Sequence, residues 1–150
     1  MKKFNHVGSD LQDLQTENID GKRHYITPSG NYISITTLLS ELSKAGIQKW
    51  RARVGATEAN RISTKASRQG TAVHALCEQY IKNEEDFLTE SMPHLVEMFE
   101  SIQPLLDRID NVHVTEGALY SDDLQLAGRT DLIAEFDGKL AIIDYKTSRR

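Results

Sequence analysis

A two-residue turn close to the C-terminal end of the sequence is the feature that most constrains how this chain folds. The dipeptide Asp137-Gly138 stands between two apolar segments, residues 132–136 and 140–143. A type I′ turn requires positive φ at both central residues, and Asp-Gly adopts that conformation at little cost. The sequence therefore predicts a β-hairpin that is closed by these two residues.

The predicted hairpin would bring three charged side chains together. Counting outward from the turn, Asp131 faces Asp144 across the two strands. Residues two apart on a strand share a face, which places Lys146 beside Asp144 and roughly opposite Arg129. The register thus predicts that two carboxylates and one ammonium group converge on one face.

Two facing carboxylates need something that offsets their repulsion, because like charges opposite each other destabilise a sheet. The apolar flanking residues favour a hairpin with both faces largely buried. A hard divalent cation such as Mg²⁺ or Mn²⁺ takes oxygen ligands, and a nearby lysine can orient a water molecule or stabilise developing charge. The alternative is a hairpin without metal, in which one acid is protonated or Asp131 pairs with Arg129 or Lys146.

Length and composition place the chain among ordinary globular proteins. Its 150 residues correspond to about one domain, and 39% of them are hydrophobic and 27% charged. No apolar run approaches the length of a membrane span, and the first residues lack the apolar stretch of a signal peptide. We therefore expect an intracellular, cytoplasmic protein with no membrane partner, in the host cytoplasm if a phage encodes it.

Cysteine content excludes several classes of site. Cys77 is the only cysteine, so one chain cannot form an internal disulfide or a four-cysteine iron–sulfur cluster. Its neighbours Val73 and Leu76 are apolar. The sequence predicts that Cys77 is a small buried hydrophobic residue.

The distribution of charge is more informative than the net charge of −4. The segment from Lys44 to Arg68 carries seven basic residues and one acid, whereas the segment from Glu78 to Asp110 carries nine acids and two basic residues. A basic segment inside an acidic chain is a candidate for contact with the phosphates of a nucleic acid. The alternative is a solvated helix face.

Hydrophobic periodicity and turn residues predict an α+β protein, with helices followed by an antiparallel or mixed sheet. Residues 1–20 are interpreted as a polar, extended lead-in, and residues 21–37 as a small hairpin that turns at Pro28 to Gly30. Helices are predicted from Ser34 or Thr36 to Gly46, at 47–67, at 71–82 and at 93–109 with a kink at Pro104. Strands are predicted at 112–120, 124–136 and 139–146.

A second group of polar residues lies on the third predicted helix. His74 and Glu78 are four residues apart and share a helical face, and Gly70, one turn earlier, permits close approach of a neighbouring segment. His74 could offer its imidazole to a metal ion or a phosphate, or it could be a hydrogen-bonded core residue. Glu116, on a predicted strand, is either a third acid of the site or a surface carboxylate.

The order of these motifs resembles a known nuclease family. Gly-x-x-x-His-x-x-x-Glu, a strand glutamate, Gly-Arg-x-Asp and Asp-Tyr-Lys-Thr are similar to the RecB-like branch of the PD-(D/E)XK nuclease superfamily. The segments RHYITPSGNYISITTLL, KWRARVG and QGTAVHALCEQYI resemble more closely the phage exonucleases related to the mitochondrial genome maintenance exonuclease. The resemblance covers approximately residues 21–148 and implies a restriction-endonuclease-like core.

This resemblance implies a Mg²⁺- or Mn²⁺-dependent DNA exonuclease that acts on single strands or DNA ends in replication, recombination or repair. Its metal ligands would be Asp131, Asp144, the carbonyl of Tyr145 and His74. Lys146 would act on the attacking water and Glu116 would join the catalytic group. Gly70, Glu78 and Arg129 would support the site. The implied DNA contacts are Ser34, Thr36, Thr37, Trp50, Arg51, Arg53, Arg61, Lys65 and Arg68.

The chain also departs from the family pattern. Ile33 stands where the family often has proline, and Gln69 precedes Gly70 where the family often has arginine. Family members continue beyond Asp-x-Lys with further strands and a helix that carries a Gln-x-x-x-Tyr motif. Residues 21–150 are therefore interpreted as one nuclease domain that lacks its C-terminal elements. The alternative function is that of a catalytically incomplete nucleic-acid-binding fragment or assembly subunit.

Overall fold

The computed structural model describes residues 1–148, which form three helices and six strands. The strands are β1 (Thr16–Ile19), β2 (Lys22–Thr27), β3 (Gly30–Ser34), β4 (Ile109–Ser121), β5 (Leu126–Phe136) and β6 (Lys139–Ile143), and the helices are α1 (Ile35–Val54), α2 (Ala56–Ile81) and α3 (Pro93–Leu106). The strand order is β1-β2-β3-β5-β4, with β6 also paired to β5. Because β3 and β5 are parallel and β5 and β6 antiparallel, the sheet is mixed, and the predicted α+β class is confirmed.

The C-terminal hairpin has the predicted turn and register. Asp137 and Gly138 have φ values of 51° and 76°, as a type I′ turn requires. Strand pairing runs from Phe136↔Lys139 to Leu132↔Ile143. A tight turn with a fixed number of residues fixes the register of the strands that it joins, which explains why the sequence was sufficient here.

Two details of this hairpin differ from the prediction. Strand β6 ends at Ile143, so the expected pairing of Asp131 with Asp144 lies one step beyond the last paired residues. The expected burial of both faces is also wrong, because Leu140 and Ile142 are 69% and 67% exposed. Only one face of β6 therefore packs against the protein among the residues that the structure describes.

The N-terminal hairpin is confirmed. Strands β2 and β3 pair from Thr27↔Gly30 to Tyr25↔Tyr32 and beyond, with the turn at Pro28 and Ser29. The hydroxyl of Thr27 donates a hydrogen bond of 2.7 Å to the carbonyl of Gly30, which closes the turn. This side-chain bond to the backbone is typical of threonine in turns.

The C-terminal end of the first predicted helix and the continuity of the second were predicted wrongly. Helix α1 continues through Gly46 and ends at Val54, and Gly55 is its C-cap with φ of 87° and its N–H bonded to the Arg51 carbonyl. A glycine inside a helix costs about 1 kcal/mol, which neighbouring residues can offset. The predicted helix over 47–67 is therefore divided at Gly55, where left-handed φ favours glycine.

Helices α2 and α3 also correct the prediction. Helix α2 runs without interruption from Ala56 to Ile81, so the expected helix start at Thr71 was wrong. Helix α3 begins at Pro93 as expected but ends at Leu106, two residues after Pro104. Proline removes a backbone donor, and in the last turn of a helix it favours termination over a kink. Ile109 consequently begins β4 rather than ending the helix.

The described residues form two compact units. The first contains Met1–Ser9, Ser63–Thr115 and the residues from Asp131 onward. Its buried core comprises Phe4, Val73, Leu76, Cys77, Tyr80, Ile81, Phe99, Leu106, Ile109, Val112, Leu132 and Ala134. Phe4 is only 5% exposed, and its N–H donates to the Asn83 side chain over 2.8 Å. The first residues are thus folded into this unit rather than forming a lead-in.

The second unit contains Asp10–Ile62 and Glu116–Thr130. Its small core consists of Tyr25, Tyr32, Ala118 and Ala127. The Tyr32 hydroxyl donates a 2.6 Å hydrogen bond to Asp122, which joins the two segments of this unit. Strand β1 pairs with β2 here, which also corrects the lead-in prediction for Thr16–Ile19.

Cys77 is buried as predicted, and this has a measurable consequence. It is 0% exposed, and burial, helped by the negative charge of Asp131, raises the pKa of its thiol to about 12. Since the thiolate is the reactive form, native protein at pH 7.5 should not react with iodoacetamide within an hour. Denatured protein should be fully alkylated in the same time. Mass spectrometry would measure both, and rapid alkylation of the native protein would contradict the burial.

No helix among residues 1–148 is both long enough and apolar enough to cross a membrane.

Candidate active site

Two of the predicted site residues meet directly in the first unit. His74 on α2 and Asp131 on β5 form a 2.7 Å hydrogen bond between Nε2 and Oδ1. Their side chains are 27% and 17% exposed, so the contact is half-buried. Leu132 is completely buried, and alternation along the strand places Asp131 on the other face of β5. His74 thus lies against an acid that the sequence identified separately.

The other carboxylate oxygen of Asp131 bonds to the chain that leaves β6. The backbone N–H of Tyr145 donates to Oδ2 over 2.7 Å. Burial raises the pKa of Asp131, but the hydrogen bonds from His74 and Tyr145 outweigh it, and the pKa lies below its ordinary value. Asp131 is therefore an ionised carboxylate at neutral pH.

Asp144 and Lys146 complete the predicted group of charges. Asp144 is near enough to Asp131 to help lower the pKa of the Asp131 carboxyl. Lys146 Nζ lies 2.6 Å from Asp144 Oδ2, and this hydrogen bond raises the pKa of Lys146 above its ordinary value. The structure therefore brings the two acids and the lysine together. Asp144 reaches Asp131 from the segment after β6 and not from a paired strand position.

Tyr145 contributes its side chain as well as its backbone. Its ring packs edge-on against the His74 imidazole, with 5.4 Å between ring centroids and an interplanar angle of 73°. Burial raises the pKa of its hydroxyl above the ordinary value, so the group is neutral. The sequence predicted a role for the Tyr145 carbonyl as a metal ligand but none for its ring. The sequence feature that could have predicted this contact is the aromatic residue between Asp144 and Lys146.

A cavity of about 330 Å³ lies beside these residues. It is lined by Gly70, Thr71, His74, Tyr145, Lys146 and Thr147. A Cβ atom at Gly70 would lie 3.3 Å from Thr147 Oγ1, tighter than ordinary contact. The close approach that the sequence predicted at Gly70 is present, and the neighbour is the segment after β6. Sequence analysis did not identify Thr71 or Thr147.

The supporting residues lie in different surroundings. Glu78 forms an ion pair with Lys82, one turn further along α2. Arg129 and Glu116 belong to the second unit, where Arg129 Nη2 donates to the Glu116 carbonyl over 2.7 Å and Nη1 pairs with Asp13 over 2.8 Å. Glu116 is exposed, and its φ of 55° is an uncommon backbone conformation for a residue other than glycine.

The hydroxyl residues implied in DNA contact lie at the start of α1. Ser34 is only 1% exposed, and its hydroxyl lies 2.8 Å from that of Thr36. Thr36 is exposed and Thr37 half-buried. The structure therefore offers Thr36 at the surface, with Ser34 behind it.

The basic residues implied in DNA contact fall into two sets. Arg51 donates to Asn60 over 2.6 Å, and Arg61 forms a 2.6 Å ion pair with Glu58. The implied basic residues outside these two contacts are all exposed: Arg53 in the second unit and Lys65 and Arg68 in the first. Trp50 is half-buried. Two of the predicted contacts are thus already bonded within the protein.

Comparison with known proteins assigns the family. Residues 48–150 match the model of the PD-(D/E)XK nuclease superfamily, and the chain belongs to this superfamily. It is 33% identical over 82 residues to mitochondrial genome maintenance exonuclease 1 of mouse, a match that covers 55% of the chain and 24% of the mouse protein. The human protein of the same name is 28% identical over 110 residues, covering 69% of the chain and 32% of that protein. The chain spans about a third or less of these relatives.

Proposed function

We propose that this chain is a metal-dependent deoxyribonuclease that hydrolyses DNA from free ends, with single-stranded DNA as its main substrate. The observation that carries the proposal is the 2.7 Å hydrogen bond between Asp131 and His74, with the nearby Asp144 carboxyl bonded to the ammonium group of Lys146. Membership of a nuclease superfamily and similarity to two proteins named as exonucleases support it. A role in DNA replication, recombination or repair follows from this substrate.

The residues of the site fit a hard divalent cation. Carboxylate oxygens are the ligands that Mg²⁺ and Mn²⁺ prefer, and the site has two acids near each other. Each Asp131 oxygen accepts one hydrogen bond, from His74 or from Tyr145, and an ionised carboxylate oxygen has a second lone pair for a metal. Asp131 and Asp144 would hold the ion. The Tyr145 carbonyl and His74 are proposed as further ligands, with His74 exchanging its hydrogen bond to Asp131 for the ion.

A bound ion would supply activation of a water molecule and neutralisation of charge on the phosphodiester. Lys146 is protonated, since its bond to Asp144 raises its pKa. Its proposed role is therefore to orient the water and to stabilise negative charge on the phosphate oxygens. The Tyr145 N–H holds the Asp131 carboxylate in a fixed orientation, and His74 orients the same carboxylate before an ion binds.

The DNA strand is proposed to contact exposed basic and hydroxyl groups. Arg53, Lys65, Arg68 and Thr36 are exposed in their own units. Phosphate contacts of this kind make binding independent of sequence and weaker at high salt. Arg51 and Arg61 would have to exchange their contacts with Asn60 and Glu58 to participate, so we expect them to contribute less.

The proposal is tested by incubating the 150-residue chain with end-labelled single-stranded DNA and either Mg²⁺, Mn²⁺ or EDTA. We expect release of mononucleotides or short oligonucleotides with either metal and none with EDTA. Circular single-stranded DNA of the same sequence should remain intact, because it has no end. Salt-dependent DNA binding without hydrolysis under any of these conditions would support the alternative, a nucleic-acid-binding fragment.

Replacement of His74 tests its role in orienting Asp131. Loss of a residue that holds a metal ligand typically costs 10–100-fold in activity or metal affinity. We therefore expect His74→Ala to reduce kcat/KM for single-stranded DNA by about 10–100-fold. His94→Ala, at an exposed position of α3, is the matched control and should retain full activity. Equal rates for the two variants would show that His74 does not contribute to the reaction.

A further inference from the structure

We propose that the cavity beside His74 is a subsite for one phosphate of the DNA strand, and that the Thr147 hydroxyl is a hydrogen-bond donor to it. This inference rests on the proposed nuclease function and assigns a substrate-binding role to Thr147, a residue outside the proposed metal site. The cavity measures about 330 Å³ and lies entirely within the first unit.

The lining of the cavity favours an anion. It includes two hydroxyl side chains (Thr71 and Thr147), the His74 imidazole and the Lys146 ammonium group, but no carboxylate among its lining residues. The acids of the site, Asp131 and Asp144, bond to His74 and Lys146 instead. A ligand in the cavity therefore meets two hydroxyl groups and the Lys146 ammonium group, whose charge is shared with Asp144. Hydroxyl and ammonium donors are groups that bind phosphate in proteins.

Gly70 shapes the cavity on the helix side. Its missing side chain lets the segment after β6 approach α2, since a Cβ atom would lie only 3.3 Å from Thr147 Oγ1. The Thr147 hydroxyl thus lies next to the backbone of α2 at Gly70, with no side chain between them. A side chain at position 70 would displace this hydroxyl and occupy space in the cavity.

The position of the cavity specifies which phosphate it would take. Thr147 follows Lys146 directly, and His74, which also lines the cavity, bonds to the proposed metal ligand Asp131. Thr71 and Thr147 are the lining side chains that the proposed metal site does not use, so a phosphate held by Thr147 would lie at the edge of that site. We assign the cavity to the phosphate next to the one that is hydrolysed, so that Thr147 holds the strand in register.

The test compares Thr147→Val, which removes the hydroxyl and keeps the shape, with Thr147→Ser, which keeps the hydroxyl. We expect the valine variant to raise KM for a single-stranded oligonucleotide about tenfold with kcat changed less than about twofold, as loss of one hydrogen bond to a charged group implies. The serine variant should have the KM of the unaltered chain. Gly70→Ala should also raise KM, which provides a second variant if Thr147→Val does not fold.

Binding measurements separate this inference from the proposed function. Fluorescence anisotropy with a labelled oligonucleotide in Ca²⁺, which takes similar oxygen ligands, reports binding whether or not hydrolysis occurs. Hydrolysis by all variants with the same KM and the same affinity would overturn the subsite and leave the nuclease function standing. Weaker binding by Thr147→Val in a chain that never hydrolyses DNA would support the subsite and overturn the function. Absence of both binding and hydrolysis would overturn both.

Discussion

Asp144→Asn should reduce hydrolysis of single-stranded DNA by at least about 100-fold, and Asp131→Asn should do the same, because each removes a charged ligand of the proposed metal site. Asparagine has nearly the same shape as aspartate, so packing around the site should change little. Initial rates with saturating Mg²⁺ and labelled substrate measure the effect. The loss should exceed that of His74→Ala, since His74 contacts the proposed ligand Asp131 and carries no negative charge itself.

Asp123→Asn is the matched control for this prediction. Asp123 is an exposed acid in the turn between β4 and β5, and its replacement makes the same change in net charge. Its rate should stay within about twofold of the unaltered chain, as is usual for surface substitutions. Rates of Asp144→Asn and Asp123→Asn that agree with each other would show that Asp144 takes no part in the reaction.

Phe99→Ala should give the largest loss of stability. Phe99 is 0% exposed, and its ring packs edge-on against Tyr80 and Phe87 with centroid distances of 5.3 and 5.2 Å. Truncation of a buried phenylalanine typically lowers the free energy of unfolding by about 3–5 kcal/mol, because it removes apolar burial and leaves a cavity. Urea unfolding followed by circular dichroism would measure the change in the first unit.

Leu124→Ala serves as the comparison for Phe99→Ala. Leu124 is 70% exposed, so its truncation should change the free energy of unfolding by no more than about 0.5 kcal/mol. A loss below about 1 kcal/mol for Phe99→Ala would mean that the aromatic cluster of Tyr80, Phe87 and Phe99 is not the packed core of the first unit.

The sequence was most informative where a structural choice depends on a few adjacent residues. Asp137 and Gly138 determine the turn, and the turn determines the register of β5 and β6. The same local logic predicted the turn at Pro28 and the start of α3 at Pro93. It also identified Asp131, Asp144 and Lys146 as neighbours.

Predictions were wrong where residue type and local pattern do not decide the outcome. Gly46 and Gly55 are the same residue type, yet one lies inside α1 and the other caps it with a φ of 87°. Phe4 looked like part of a polar lead-in, and it is buried because it packs edge-on against Tyr80 of α2. Such tertiary contacts override local preference and leave little trace in the sequence.

The candidate site contains both a correct prediction and an arrangement that the sequence did not predict. The strand register predicted that the two acids are neighbours. Strand β6, however, ends at Ile143, and the Tyr145 N–H after it donates to Asp131 instead of to a partner strand. The ring of Tyr145 on His74 and the hydroxyl of Thr147 above Gly70 depend on how that released segment packs on α2. Strand periodicity does not describe a segment after it leaves the sheet.

Binding of Mn²⁺ to the 150-residue chain tests the central claim most directly, because it does not require hydrolysis. Electron paramagnetic resonance of free Mn²⁺ should show loss of the six-line signal as the unaltered chain is added. Asp131→Asn combined with Asp144→Asn should leave that signal almost unchanged, while Asp123→Asn should bind as the unaltered chain does. Equal Mn²⁺ binding by the double variant and the unaltered chain would contradict the assignment of Asp131 and Asp144 as the ligands.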